Sequence, residues 1–168
     1  MHSTSHNSAG PVSGLGQNLK QRAEILDETR WANEFSWPEI ESLAYYLSMQ
    51  RASRHDVICR EGAADDTMFI IARGSVNILK EGSGGNKRIL AALGQGQTLG
   101  EMSLLDGEPR SATAVAESDV VLLAMSKSAL EDMIREKPGL AVKFIMKLAR
   151  LLSQRLRKTS GALADHLR

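Results

Sequence analysis

Residues 96–116 read GQTLGEMSLLDGEPRSATAVA, and this stretch gathers residue types that can hold an anion and a sugar together. A Gly-rich turn, Gly94 to Gly100, leads into a short apolar run, Met102 to Leu105. A turn of that kind opening a helix points backbone N–H groups outward, which suits an anion. Asp106-Gly107 turns the chain again, Pro109 stiffens the exit, and Arg110 stands just before a β-like run, Ser111 to Ala116. An arginine fork can give a phosphate two parallel charge-assisted bonds, each about 1.5–3 kcal/mol when sheltered from water. Glu101 lies in the same turn. Like charges repel, so its use beside an anion is as an acceptor for a sugar hydroxyl. Taken singly, Arg110 reads as a surface cation and Glu101 as a first-turn acid favoured by the helix dipole. Side by side, a phosphate donor and a hydroxyl acceptor fit a nucleotide.

The elements that must position these groups change period twice along the chain. Residues 1–18, rich in Ser, Gly, His and Asn, read as a disordered tail. Residues 19–48 read as N-terminal helices. Leu19, Ala23, Ile25, Leu26 and Trp31 give helical spacing over 19–34. Ser36, Pro38 and Glu39 then form an N-cap, a first-turn proline and a capping box for a second helix. From Met49 to Met125 the period is that of strands, with runs at 49–54, 56–60, 67–72, 75–80, 87–93, 111–117 and 119–125. Turn signals at 54–56, 61–62, 73–74 and 82–86 separate them. Short strands at such spacing imply an all-β roll or barrel.

Residues 126–160 return to helix. Ser126 caps one helix running to about Lys137, and Pro138 starts another. Leu140, Phe144, Leu148, Leu151, Leu152 and Leu156 make a stripe on this last helix. That stripe suits burial against the roll or against the same helix of a second copy. Its basic residues, Lys143, Lys147, Arg150, Arg155, Arg157 and Lys158, read as a solvated face, because no aromatics interleave with them. Residues 161–168 read as a second tail.

The polar cassette carries a family resemblance. Gly100-Glu101-Met102-Ser103-Leu104-Leu105, followed by Pro109-Arg110-Ser111-Ala112-Thr113, resembles the phosphate-binding cassette of cyclic nucleotide-binding domains. That family includes bacterial catabolite activator proteins, regulatory subunits of cyclic-AMP-dependent kinase and cyclic-nucleotide-gated channels. Leu99 stands where an aromatic is usual. Gly62, Asp66, Phe69-Ile70-Ile71 and Gly74-Ser75-Val76 are similar to the family's β-roll, and the likeness spans roughly residues 36–155.

The resemblance implies a mostly β fold with flanking α. It would be a jelly-roll-like β-roll (a double-stranded β-helix) with N-terminal helices, a short cassette helix and two C-terminal helices. It also implies the site. Arg110 and the Ser111 hydroxyl or amide would hold the cyclic phosphate, and backbone N–H groups around Met102 would add donors. Glu101 would accept from the ribose 2′-hydroxyl, with Gly100 allowing close approach. Leu99, Ser103, Pro109 and Ala112 frame the pocket. The base would lie on apolar side chains of the roll and be capped by Arg155, with Thr159 and Ser160 as alternatives. Ser111, rather than Thr, after the arginine favours cyclic AMP over cyclic GMP. Ligand binding would move the long helix about a hinge at 126–138 and present a surface to an effector protein or to a second copy. The rival is a nucleotide-insensitive scaffold that keeps the fold.

Composition is ordinary. The chain has 168 residues, 42% hydrophobic and 24% charged, with a net charge of +1. No global field recruits nucleic acid or an acidic membrane. The single cysteine, Cys59, excludes an internal disulfide and fits a reducing cytoplasm. It sits in an apolar run, VIC, and reads as a buried, inert thiol. No stretch approaches the ~20 apolar residues of a membrane span. Only a few residues follow the long helix, so the chain reads as a stand-alone module without a DNA-binding domain, or as one cut from a larger chain. His2, His6, His55 and His166 lack metal-ligand spacing, so no metal and no phosphodiesterase or cupin-type chemistry is expected, and the protein reads as no enzyme.

Overall fold

The computed structural model describes residues 13–14, 19–82 and 84–166. The chain divides into two compact units, one ending at Lys127 and the other beginning at Ser128.

The first unit is a β-roll with flanking helices. Helices α1 (Leu19–Asp27) and α2 (Trp37–Tyr46) precede the strands. These are β1 (Ser13–Gly14), β2 (Ser48–Ala52), β3 (Val57–Cys59), β4 (Met68–Arg73), β5 (Val76–Glu81), β6 (Lys87–Leu93), β7 (Thr98–Leu99), β8 (Thr113–Ala116) and β9 (Val120–Met125). Between β7 and β8 lies the short helix α3 (Glu101–Asp106). The strands form two antiparallel sheets, ordered β1-β2-β9-β4-β7 and β3-β8-β5-β6.

Strand β4 reads MFIIAR and is buried from Met68 through Ala72. It shows no alternation because both of its faces are covered. Phe69, Ile71, Leu99, Leu122 and Ala124 of the first sheet pack with Val76, Ala114 and Ala116 of the second in one apolar cluster. Each large side chain so buried contributes about 1.5–3 kcal/mol. Small alanines on β8 let the two sheets close on the bulkier β4 and β9. The roll's hairpin entries need glycine where the chain crosses itself. At Gly74, with φ +85°, a Cβ would stand 2.8 Å from the Ser118 hydroxyl and closer still to the Asp119 carbonyl.

Local signals set most boundaries. The Ser36 amide donates to Glu39 Oε2 at 2.7 Å, so the capping box opens α2 where its residues imply. Other boundaries differ from the sequence reading. The single helix expected over 19–34 breaks, and a 3-10 turn covers Arg30–Glu34. Thr29 is the reason. It is extended, and its buried hydroxyl donates to the Leu26 carbonyl at 2.7 Å, ending α1. Strand β7 was hidden in the Gly-rich turn because two residues carry no period. Ser13 and Gly14, within the span read as a tail, pair with Arg51 and Gln50. The remainder of that span, 1–12 and 15–18, lies outside the described residues.

The second unit contains most of α4 (Lys127–Glu136) and all of α5 (Pro138–His166). The Lys137 amide closes α4 onto the Met133 carbonyl at 2.8 Å, and Pro138 begins α5, as expected of a residue that cannot continue a helix. Helix α5 runs past residue 160, because Ala162 and Leu163 are good helix formers that outweigh Gly161. Phe144 and Leu148 of its stripe are buried, whereas Leu156 is 68% exposed.

Candidate functional site

The cassette begins with a backbone requirement. Gly100 caps α3 in the left-handed region, at φ +82°. A Cβ there would stand 2.6 Å from the Thr67 carbonyl and against the Arg110 guanidinium. Only glycine leaves that space, so the arginine can lie directly over the start of α3.

The loop after β3 fixes where Arg110 starts. The Gly62 amide donates to the Arg110 carbonyl at 2.8 Å, and the Arg110 amide donates to Ala63 at 2.9 Å. The side chain then turns into the roll, and the residue is 4% exposed. Its Nη2 donates to Asp65 Oδ2 at 2.6 Å and also to the Thr67 carbonyl. Nη1 reaches the Gly100 carbonyl at 3.5 Å. The Phe69 ring lies under it, with Cζ 5.8 Å from the centroid, a cation–π distance. Asp65 is itself held, since Oδ1 accepts from the Thr67 amide at 3.1 Å. Arg110 Nε is buried with no hydrogen-bond acceptor among the described residues. That is costly for a charged group, and an incoming anion would relieve it.

Glu101 is also buried, 2% exposed, and accepts from the Thr98 hydroxyl. Its place in the first turn of α3 lets the helix dipole favour its charge. The amides of that first turn have no acceptor within the helix. Ser111, just past the arginine, has its carbonyl held by Lys80 Nζ at 2.6 Å. The same ammonium donates to Glu61 Oε1 at 2.5 Å. That bond, with a second from the Glu81 amide, holds the Glu61 carboxyl below its ordinary 4.5.

The structure therefore brings Leu99, Gly100, Glu101, Ser103 and Arg110 together as buried or half-buried groups. Met102, 53% exposed, turns its side chain outward, leaving its backbone to the site. Pro109 and Ser111 are exposed and Ala112 half-buried along the rim. Arg155 is exposed on α5, its carbonyl accepting from the Thr159 hydroxyl at 3.0 Å. It belongs to the second unit and is not brought to these residues by anything described. Asp65, Thr67, Phe69, Thr98, Glu61 and Lys80 escaped sequence reasoning as site residues. Asp65 lies 45 residues from Arg110 along the chain, and no spacing rule links them. Among the described residues no cluster of His, Cys, Asp and Glu could hold a metal ion, and no helix is long and apolar enough to cross a membrane.

Comparison with known proteins agrees on one family. Residues 49–137 match the model of the cyclic nucleotide-binding domain. The cyclic AMP receptor protein of Thermus thermophilus is 36% identical over 71% of this chain and 54% of its own length. A CRP-like cAMP-activated global transcriptional regulator of Mycobacterium tuberculosis is 31% identical over 67% of this chain and 48% of its own. The chain thus spans about half the length of these curated relatives. Among solved structures, a cyclic nucleotide-binding domain from Methylobacillus flagellatus superposes with a TM-score of 0.76 at 29% identity, covering 88% of this chain and 83% of that one.

Proposed function

The chain belongs to the cyclic nucleotide-binding domain family, and from that premise we propose that it is a cyclic nucleotide receptor, with cyclic AMP preferred over cyclic GMP. One observation carries the reading. A guanidinium buried beside Gly100 and Glu101 keeps its Nε unsatisfied, next to first-turn amides that also lack an acceptor within their helix. A phosphate taking the side edge of the guanidinium satisfies Nε and needs one Nη2 hydrogen, which Asp65 and the Thr67 carbonyl now use. Binding therefore trades the carboxylate for the phosphate. Glu101, anchored by Thr98, accepts from the ribose 2′-hydroxyl. Leu99, Met102, Ser103, Pro109, Ser111 and Ala112 shape the pocket around these two anchors.

The output in this proposal is the second unit. A ligand shifts a conformational equilibrium only as far as its affinities for the two states differ. The trade at Arg110 supplies such a difference, and α5 moves onto the base, with Arg155 as cap. A second copy is the fitting partner for α5 where it is bare. Val142, Ala149, Leu156 and Leu163 recur every seven residues and all are exposed. Ile145 and Leu152 fill the first two intervening positions of that heptad and Thr159 the third, a two-helix seam pattern that turns polar near its C-terminal end.

The rival scaffold reading draws on one observation of its own. Arg110 already has a carboxylate at 2.6 Å, so its charge is paired without a ligand even though Nε is not. Calorimetry of the full chain with cyclic AMP and cyclic GMP separates the two. The receptor reading expects binding, lost in Arg110→Ala and kept in Lys158→Ala. No heat and no thermal shift with either nucleotide would leave only the scaffold.

A further inference from the structure

The thiol of Cys59 is not where an inert core cysteine would be. Cys59 stands opposite Ala114, Ala114 opposite Ile78, and Ile78 opposite Ala91, a row across all four strands of the second sheet. Directly opposed residues of antiparallel strands project from the same face. Ala114 is buried in the inter-sheet cluster, with Cys59 and Ile78 packed against it, so this face looks into the roll. The same cluster holds Phe69, which lies under Arg110, and Leu99, which precedes Gly100. The thiol therefore shares an interior with the arginine. Val57, Ile58 and Cys59 are all only half-buried, so solvent reaches part of the strand that carries the thiol. Independently, Arg110, 96% buried by its 4% exposure, holds an unpartnered Nε in this interior. Burial pushes the thiol up from its ordinary 9.0, and the Arg110 charge opposes that push without cancelling it.

We infer that Cys59 is a modification site for small disulfides, and that its reaction and occupancy of the site by cyclic nucleotide exclude one another. This rests on the receptor reading above. The step is an exchange. The Cys59 thiolate attacks one sulfur of a disulfide RSSR, forming a Cys59–S–S–R bond as the S–S bond of RSSR breaks. The leaving RS⁻ takes up a proton, which balances the one lost from the thiol, and no further oxidant is needed. The attached R group then stands on the row beside Arg110, where a nucleotide would otherwise lie.

The test uses the full chain and 4,4′-dithiodipyridine, whose released thiopyridone is read by absorbance. The chain has a single cysteine, so the signal has one source. Binding of cyclic AMP is measured first by calorimetry. Saturating cyclic AMP is then expected to slow the labelling about tenfold or more, because the open site becomes scarce. The labelling rate of the empty protein is expected not to rise in urea below the unfolding transition, which marks a route through the native state. The labelled chain, folded by circular dichroism, is expected to bind cyclic AMP about tenfold more weakly or worse, with binding restored by dithiothreitol. Cys59→Ala, treated and untreated with reagent, is expected to bind alike. Equal labelling rates with and without nucleotide, in protein that binds it, overturn the inference alone. Should the labelled chain unfold, the rate comparison still decides. Absence of nucleotide binding to the unmodified chain overturns the receptor reading and this inference with it.

Discussion

Replacing Asp65 with Asn probes the charge balance at the centre of the site. The substitution keeps an oxygen acceptor of the same shape but removes the carboxylate 2.6 Å from Arg110 Nη2. The two partners are unequally sheltered, with side chains 3% exposed for Arg110 and 35% for Asp65. Breaking a fully buried pair costs about 3–5 kcal/mol. Here one partner is partly in water, and the guanidinium keeps the carbonyls of Thr67 and Gly100. The loss is then about 1–2 kcal/mol, nearer a charged hydrogen bond than a buried ion pair. Urea unfolding without ligand should show it as a lower midpoint at unchanged slope. Nucleotide binding moves the other way. If phosphate displaces Asp65, the wild type spends that same 1–2 kcal/mol on binding and the variant does not. Cyclic AMP should bind Asp65→Asn about 5- to 30-fold more tightly, read by calorimetry. An affinity tenfold weaker than wild type, in a variant that folds, would refute the reasoning. It would mean that Asp65 orients the guanidinium for the ligand instead of competing with it.

Three further outcomes follow from the same geometry. Gly100→Ala combines a left-handed φ with a Cβ against the Thr67 carbonyl, and should destabilise by about 1–3 kcal/mol while abolishing nucleotide binding. Normal binding in that variant would show that Arg110 need not lie over α3. Glu61 is held below its ordinary 4.5 by Lys80, so the unfolded chain binds its proton first as pH falls. The stability it contributes is full above that ordinary value and is lost as pH drops through the lowered folded-state value. The difference in urea midpoint between wild type and Glu61→Gln should therefore be present at pH 7 and vanish in acid, and a pH-independent difference would exclude this cause. Leu156→Glu puts a charge on the exposed heptad of α5. Sedimentation equilibrium should show a second copy lost in the variant, and identical masses would remove the self-pairing seam.

Much of this molecule is fixed by neighbours within four residues, and those features were legible without a fold. The capping box at Ser36 and Glu39 and the proline start of α5 are local, and the short strand runs from Met49 onward and the cassette residues from Gly100 to Ser111 can be read along the chain. Hydrogen bonds within one turn, and the two residue periods, need no tertiary partner to be read. The family follows from the cassette and the strand pattern, and the match over residues 49–137 lies within the likeness read over roughly 36–155.

What only the tertiary structure decided is how the cassette is satisfied. Asp65 and Thr67 reach Arg110 because the loop after β3 pairs with the chain at Gly62, Ala63 and Arg110. That register depends on two sheets closing around alanines on β8, which no local pattern specifies. The same closure puts Cys59 in line with Ala114 and Ile78, packed against the inter-sheet cluster. Thr29 ends α1 through a buried hydroxyl whose value depends on exclusion of water, a property of packing and not of sequence. Residue types set which bonds are available, and the long-range register chose which of them formed.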